Sequence, residues 1–319
     1  MKNNWIKLGC IFDVAKEWGA DYGYTYSHKP TPILLDESTI RVYYGFRDKE
    51  NHTKTSFVDL DVLTLQVKYI HKEIVLDIGK IGTFDDAGAQ VCSVVRVDEK
   101  TLYMYYIGWN TSTTVPYRNS LGLAISSDNG WHFERAYEGP ILERYLDEPY
   151  HVGASYIMYK DNKWQMWYNS GNGYKIVNGK PEYTVHIKYA ISDDGIHWTR
   201  TGQVCIEKQT ETEVVVRPSV IYRDGKYQMF YSRRDVANFR TDVNMSYKMG
   251  YAESEDGICW KRLDNYPSIE VSSKEGDWDS IMIAYPYVLD MGDYLLAFYN
   301  GNKFGYTGFG LAILKLYAE

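Results

Sequence analysis

A chain of 319 residues with 31 tyrosines, 9 tryptophans and 45% apolar residues carries ample material for a core, which excludes a disordered protein. Its formal net charge of −7 excludes nucleic acid and anionic membrane surfaces as main partners, because both recruit basic surfaces. No stretch reaches the ~18 apolar residues of a membrane-crossing helix, and MKNNWIKLGC at the start has no apolar run of signal-peptide length, so a cytoplasmic protein is expected. Cys10, Cys92, Cys205 and Cys259 lie far apart without a CxxC pair and are read as reduced thiols.

From the N-terminus, NWIKLGCIF at 4–12 reads as a strand. An aliphatic strand followed by a Tyr/Trp-rich strand then recurs along the chain. The pairs are KPTPILLD at 29–36 with RVYYGFRD from 41, VCSVVRVD at 91–98 with LYMYYIGWN from 102, and GASYIMYKD at 153–161 with KWQMWYNSG from 163. RPSVIYRDG at 217–225 with KYQMFYSRRD from 226, and IAYPYVLD at 283–290 with YLLAFYNGN from 294, complete the series. The aromatic strands start 61, 61, 63 and 68 residues apart, which marks five units of nearly equal length.

A third strand leads into a repeated turn in LAISSDNGWHFER at 123–135, YAISDDGIHWTR at 189–200 and YAESEDGICWKR at 251–262. The Asp-Gly or Asn-Gly pair reverses the chain because Gly adopts positive φ without steric cost. Four antiparallel strands repeated five times predict an all-β, five-bladed β-propeller occupying 1–319 as one domain. The last unit stops after its third strand, GFGLAILKLY at 308–317. The N-terminal strand resembles the fourth strands HWTRTGQVCI and CWKRLDNYPSI, with Trp5 in place of Trp198 and Trp260, and is expected to complete the final blade.

In blades of this kind, the loop into the first strand and the loop from the second to the third open on one face. Those loops carry Arg47, Trp109, Arg234, Asp235 and Asn300. Aromatic faces with amide and charged groups suit a carbohydrate, and Tyr285 is placed with them as a contact. Acidic residues recur at the entrances to the inner strands: Asp85 and Asp86, Asp147 and Glu148, Glu211 and Glu213, Asp277 and Asp279. Glycoside cleavage requires such carboxylates, one to protonate the leaving oxygen and another to activate water or attack carbon. His28, His151 and Arg217 stand at the same entrances. Arg217 is read either as a contact for a carboxylate, phosphate or nucleotide-sugar group or as a clamp on Glu213. No ligand spacing supports a metal on His28 and His151, and neither metal nor cofactor is expected.

These motifs, together with GTFDDAGAQV at 82–91, LDEPYHVGASYI at 146–157, FRTDVNMSYKMGYAESEDG at 239–257 and GDWDSIMIAYPYVL at 276–289, resemble the glycosidase-like propellers related to glycoside hydrolase families 32, 43 and 68. Within them, the chain is similar to an uncharacterised branch associated with bacterial surface-polysaccharide synthesis. The resemblance implies an inner-strand Asp before Pro in blade one as base or nucleophile, a supporting Asp in blade two and a Glu before Gly-Pro in blade three as acid. Blade one here reads Ser27-His28-Lys29-Pro30, with Asp21 the nearest carboxylate, and Glu148-Pro149 matches the acid motif in part. The implied function is cleavage or transfer of a glycosidic or sugar-phosphate bond, with Glu148 as general acid and Asp86 or Asp279 as base, nucleophile or stabiliser. A catalytically inactive propeller that binds a glycan or an assembly enzyme is the alternative. No apolar stripe stands apart from the blade pattern, so no oligomeric state is read from the sequence.

Overall fold

The computed structural model describes residues 4–263 and 266–316 and consists almost wholly of strands, with two four-residue helices, α1 (Val14–Glu17) and α2 (Asn302–Gly305). After β1 (Ile6–Phe12), the first unit contains β2 (Thr25–Asp36), β3 (Thr39–Arg47), β4 (Thr53–Asp61) and β5 (Val67–Ile70). The second contains β6 (Gly88–Arg96), β7 (Leu102–Thr111), β8 (Tyr117–Ser126) and β9 (Glu134–Arg135). Next come β10 (Val152–Lys160), β11 (Lys163–Val177), β12 (Lys180–Ser192) and β13 (Thr199–Val204), then β14 (Glu213–Arg223), β15 (Lys226–Asp235), β16 (Lys248–Ser254) and β17 (Lys261–Arg262). β18 (Ala284–Asp290), β19 (Tyr294–Asn300) and β20 (Phe309–Lys315) close the chain.

Hydrogen bonding orders three sheets as β10-β11-β12-β13, β14-β15-β16-β17 and β1-β20-β19-β18. The first two units share a ladder only through the parallel pair Thr53 and Gly88; within each, the pairing is antiparallel. β1 runs antiparallel to β20, from Ile6 opposite Ile313 to Phe12 opposite Phe309, and so takes the fourth-strand place expected of it. The first strands touch in chain order, β2 to β6 to β10 to β14 to β18, and β18 returns to β2. Face-to-face stacking covers both sides of the second strands, so these read as unbroken apolar and aromatic runs; in β3 every residue from Thr39 to Phe46 is buried.

The repeated turns hold neighbouring units together. Ser192 Oγ accepts from the Gly195 amide at 2.9 Å, and Asp194 Oδ1 accepts from the Ile196 and His197 amides at 2.8 Å. Ser254 and Asp256 repeat the arrangement. The turn glycine then offers its carbonyl to the second strand of the preceding unit. Tyr43 donates to Gly130 at 2.9 Å, Tyr105 to Gly195 at 2.9 Å, and Trp167 Nε1 to Gly257 at 2.7 Å.

A second repeated device lies at the other end of the strands. Asp85 accepts from Tyr106 of β7 at 3.1 Å and from Arg135 of β9 at 2.8 Å. Glu148 accepts from Tyr168 of β11 at 2.8 Å, Lys188 of β12 at 2.9 Å and Arg200 of β13 at 2.8 Å. Glu213 binds the Arg262 guanidinium of β17 through both oxygens, at 2.7 and 2.8 Å. Asp279 accepts from Tyr299 of β19 at 2.9 Å and from Lys7 of β1 at 2.8 Å. Each buried carboxylate therefore ties the start of a first strand to the fourth strand of the same sheet, in three cases through a second-strand tyrosine as well. The opening unit builds this corner from packed aromatics, Trp18 against Tyr24 and Phe46.

Removing one partner of a buried ion pair strands the others in a low-dielectric interior. Glu148→Gln leaves Lys188 and Arg200 without their carboxylate and is expected to lower the unfolding free energy by about 3–5 kcal/mol, measured by urea titration; a loss below ~1 kcal/mol, typical of a surface pair, would contradict the clamp.

Candidate functional site

A cavity of about 690 Å³ sits at the mouth of the ring of first strands. His28 and Lys29 of β2, Gln90 of β6, Ala154 of β10, Arg217 of β14 and Tyr285 of β18 all border it. Every first strand breaks register against its second strand just there: between His28 and Thr31, Val91 and Ser93, Gly153 and Tyr156, Val216 and Ser219, and Ala284 and Tyr287. The bulged residues Lys29, Ala154, Arg217 and Tyr285 have φ of +46°, +36°, +56° and +57°, a strained conformation for side-chain-bearing residues that recurs at functional sites. Three of the four precede proline. Two glycines make room for cavity groups. A Cβ at Gly88 would fall 1.9 Å from Trp109 Nε1, and one at Gly45 would fall 2.0 Å from Gln90 Oε1.

The deep wall is cationic. Arg217 has no exposed surface and forms the floor rather than an open contact. Its Nη1 donates to the Cys92 carbonyl at 2.7 Å and its Nη2 to Thr31 Oγ1 at 2.9 Å, while Asn169 Oδ1 accepts from its backbone amide at 3.1 Å. Lys29 is half-buried, with Nζ 5.4 Å from the centre of the Tyr285 ring; burial, with help from the Arg217 guanidinium, lowers its amine to about 7. Arg47 lies over the Tyr26 ring at 4.9 Å and donates to Asn51 at 2.7 Å, and its buried Nε has no hydrogen-bond partner among the described residues. None of these three cations is in an ion pair among the described residues.

His28 and His151 are buried and held neutral. His28 stacks on Tyr26 at 4.5 Å. Its Nδ1 lies 2.8 Å from the Phe304 carbonyl, so Nδ1 carries the proton and donates. Nε2 is left as a buried acceptor without a partner among the described residues. Burial, then Arg47 and Lys29, pushes its pKa well below the usual histidine range. His151 packs edge-on against Tyr183 at 5.1 Å, and burial lowers its pKa to about 4.

Of the residues expected at the site, Asp86, His28, Arg47, Trp109, His151, Arg217 and Tyr285 border the cavity. Asp85, Glu148, Glu213 and Asp279 do not line it; they are spent in the interstrand clamps, so of the three carboxylates expected to converge only Asp86 faces the cavity. The alternative of an Arg217 clamp on Glu213 is not realised: Glu213 pairs with Arg262 of β17, at the opposite edge of the same sheet. Arg234 supports the wall from behind, stacking on Phe239 at 3.7 Å and donating to Tyr247 at 3.1 Å. Asp235 pins the next loop by accepting from Thr212 at 2.6 Å and Ala237 at 2.8 Å. Asn300 fixes the bulge of β2, accepting from the Lys29 amide and donating to the Ser27 carbonyl, both at 2.7 Å.

Lys29, Gln90, Asn119, Tyr183 and Tyr247 also border the cavity and were not foreseen. The X-Pro pair shared by Lys29, Arg217 and Tyr285 in three first strands was the available signal for Lys29. At the rim, ligand atoms of Asp48, Glu50 and His52 lie within 4.8 Å of one another, but Asp48 already accepts from the His52 amide at 2.8 Å and pairs with Lys54 at 3.5 Å.

Because His151 has a lower pKa folded than unfolded, the unfolded chain binds more protons between pH 6.5 and 4, and stability falls as pH falls through that window. Denaturant titrations across pH 4–7 are expected to show this loss, and His151→Gln to recover up to about 3 kcal/mol of it. A residual slope remains from His28 and His186, both also lowered by burial.

No family model matches the chain. Among solved structures it is similar to a BT0996 RGII complex, with a TM-score of 0.75 at 18% identity over 99% of this chain and 92% of that one. It is also similar to a thermostable family-43 glycoside hydrolase, with a TM-score of 0.63 at 18% identity over 92% and 91%, and to the Bombyx mori GH32 β-fructofuranosidase BmSUC1, with a TM-score of 0.61 at 17% identity over 91% and 61%. At these identities the likeness establishes a glycoside-hydrolase-type propeller fold. In sequence, the uncharacterized proteins MT1551 and Rv1502 of Mycobacterium tuberculosis strains CDC 1551 and H37Rv are each 33% identical over 98% of this chain and 99% of their own length. The chain belongs to the family of these mycobacterial proteins.

Proposed function

We propose that the protein is a five-bladed propeller whose central cavity binds a carbohydrate carrying a negative charge. The closed circuit of contacts from β2 through β6, β10, β14 and β18 supports the blade count. The observation that carries the ligand class is the wall of Arg47, Lys29 and Arg217, three cations that have no carboxylate partner among the described residues and border one cavity. A buried, uncompensated cation is costly unless an anion completes it. Trp109, Tyr117 and Tyr285 offer ring faces for a sugar, and Asn119 and Gln90 offer amides for its hydroxyls. The glycoside-hydrolase neighbours support carbohydrate over other anions.

Carboxylate-assisted hydrolysis is the second reading, favoured by Asp86 on the cavity wall, whose Oδ2 accepts from the Gly82 amide at 2.9 Å. Calorimetric titration with matched acidic and neutral oligosaccharides separates ligand classes. Acidic ones are expected to bind more tightly, with affinity falling as salt rises, and Arg47→Gln to weaken them by about tenfold or more, as loss of a charge-assisted bond of ~1.5–3 kcal/mol requires. Equal binding of neutral sugars would overturn the anionic reading. Release of reducing sugar without a new carbon–carbon double bond, abolished by Asp86→Asn, would establish hydrolysis.

A further inference from the structure

We propose that the cavity cleaves uronate-containing chains by β-elimination, with Lys29 removing the proton from the carbon that bears the carboxylate and Tyr285 protonating the departing oxygen. The proposal rests on the acidic-carbohydrate reading and gives it a substrate class and a reaction.

The geometry supplies each part on one wall. A uronate carboxylate must first be held by cations so that negative charge can build on the adjacent carbon, and Arg47 lies there with its Nε unpartnered among the described residues. Lys29 stands at the bulge of β2 with Nζ over the Tyr285 ring at 5.4 Å, and no described residue forms an ion pair with it. Tyr285 occupies the corresponding bulge of β18, and its hydroxyl is 3.4 Å from that of Tyr247, a second phenol able to relay a proton. The Asn300 side chain, bonded to the Lys29 amide at 2.7 Å, sets the position of the base. Burial and Arg217 leave the Lys29 amine near 7, so a substantial neutral fraction exists at neutral pH, while burial keeps Tyr285 protonated.

The step balances without water or a redox partner. The neutral amine of Lys29 takes the proton at C5 of the uronate; that C–H electron pair becomes the C4=C5 double bond. The C4–O bond to the preceding sugar breaks, and its oxygen takes the proton of Tyr285 to become a new reducing end. Proton return from the Lys29 ammonium to the Tyr285 phenolate resets the site. Hydrolysis of the same linkage consumes water and makes no double bond, so the products identify the reaction.

The test incubates the full chain with oligogalacturonates and glucuronate-containing oligosaccharides and follows the ultraviolet absorbance of the conjugated double bond, alongside calorimetric binding. The expected result is growth of absorbance, falling by at least about 100-fold in Lys29→Met. Lys29→Arg, which carries the charge but cannot act as a base near neutral pH, should fall as far while acidic oligosaccharides still bind. Binding without absorbance, or reducing ends without absorbance, overturns the elimination and leaves the acidic-sugar reading standing; cleavage unaffected by either Lys29 variant also overturns it. Absence of binding by every acidic oligosaccharide overturns both.

Discussion

The architecture turns on a guanidinium at its centre. Arg217 leaves β14 at a bulge with φ +56° and crosses the ring to reach a carbonyl of β6 and the Thr31 hydroxyl of β2. It is fully buried, and a buried cation must be met by oxygen atoms in fixed places. Three first strands are thereby held at one spacing about the axis. The Tyr287 ring, 5.3 Å from its guanidinium carbon, adds a fourth contact from β18. The same charge helps depress the Lys29 amine, so the group that organises the centre also conditions the chemistry of the wall above it.

Acidic residues serve a different purpose from the one their position suggests. Asp85, Glu148, Glu213 and Asp279 are each matched to a fourth-strand cation, Arg135, Arg200, Arg262 or Lys7. Such pairs contribute register more than net stability, because desolvation offsets much of the attraction. The Lys7 pair has a further consequence: it fastens the N-terminal strand to the last sheet by charge as well as by the β1–β20 ladder. With the repeated acids engaged in structure, the cavity is left with a positive surplus, and the proposed ligand class rests on that surplus.

The repeat and the strand order were legible because they rest on local pattern: aromatic runs, Asp-Gly turns and Trp5 standing in for Trp198 and Trp260. The turns even show why the aromatic strands carry Tyr43, Tyr105 and Trp167, whose polar atoms reach the next turn's glycine carbonyl. Among site residues, His28, Arg47, Trp109 and His151 were legible from their position at strand mouths and in loops. The clamps were not, since the entrance to an inner strand can aim a carboxylate either at the axis or back along the sheet, and only the fourth-strand partner decides. Lys29 was hidden because alternation assigns side-chain direction only in regular strands, and its bulge breaks that rule. Tyr183 and Tyr247 reach the cavity from outside the first strands, through folding that local pattern does not encode.

The proposed recognition of an acidic sugar depends on a geometry repeated within one molecule: bulges turn chosen side chains to the axis, and what stands there sets the charge. Lys29 occupies the X-Pro position where the resemblance to hydrolases implies a carboxylate, which reverses the sign of the site without altering the frame. The most direct measurement is a crystal structure of the protein with a uronate-containing disaccharide. The carboxylate is expected within hydrogen-bonding distance of Arg47, with the sugar ring against Trp109 or Tyr285. A sugar seated in the cavity with its carboxylate turned to solvent, or bound with Asp86 as its only charged contact, would contradict an anion-recognising site.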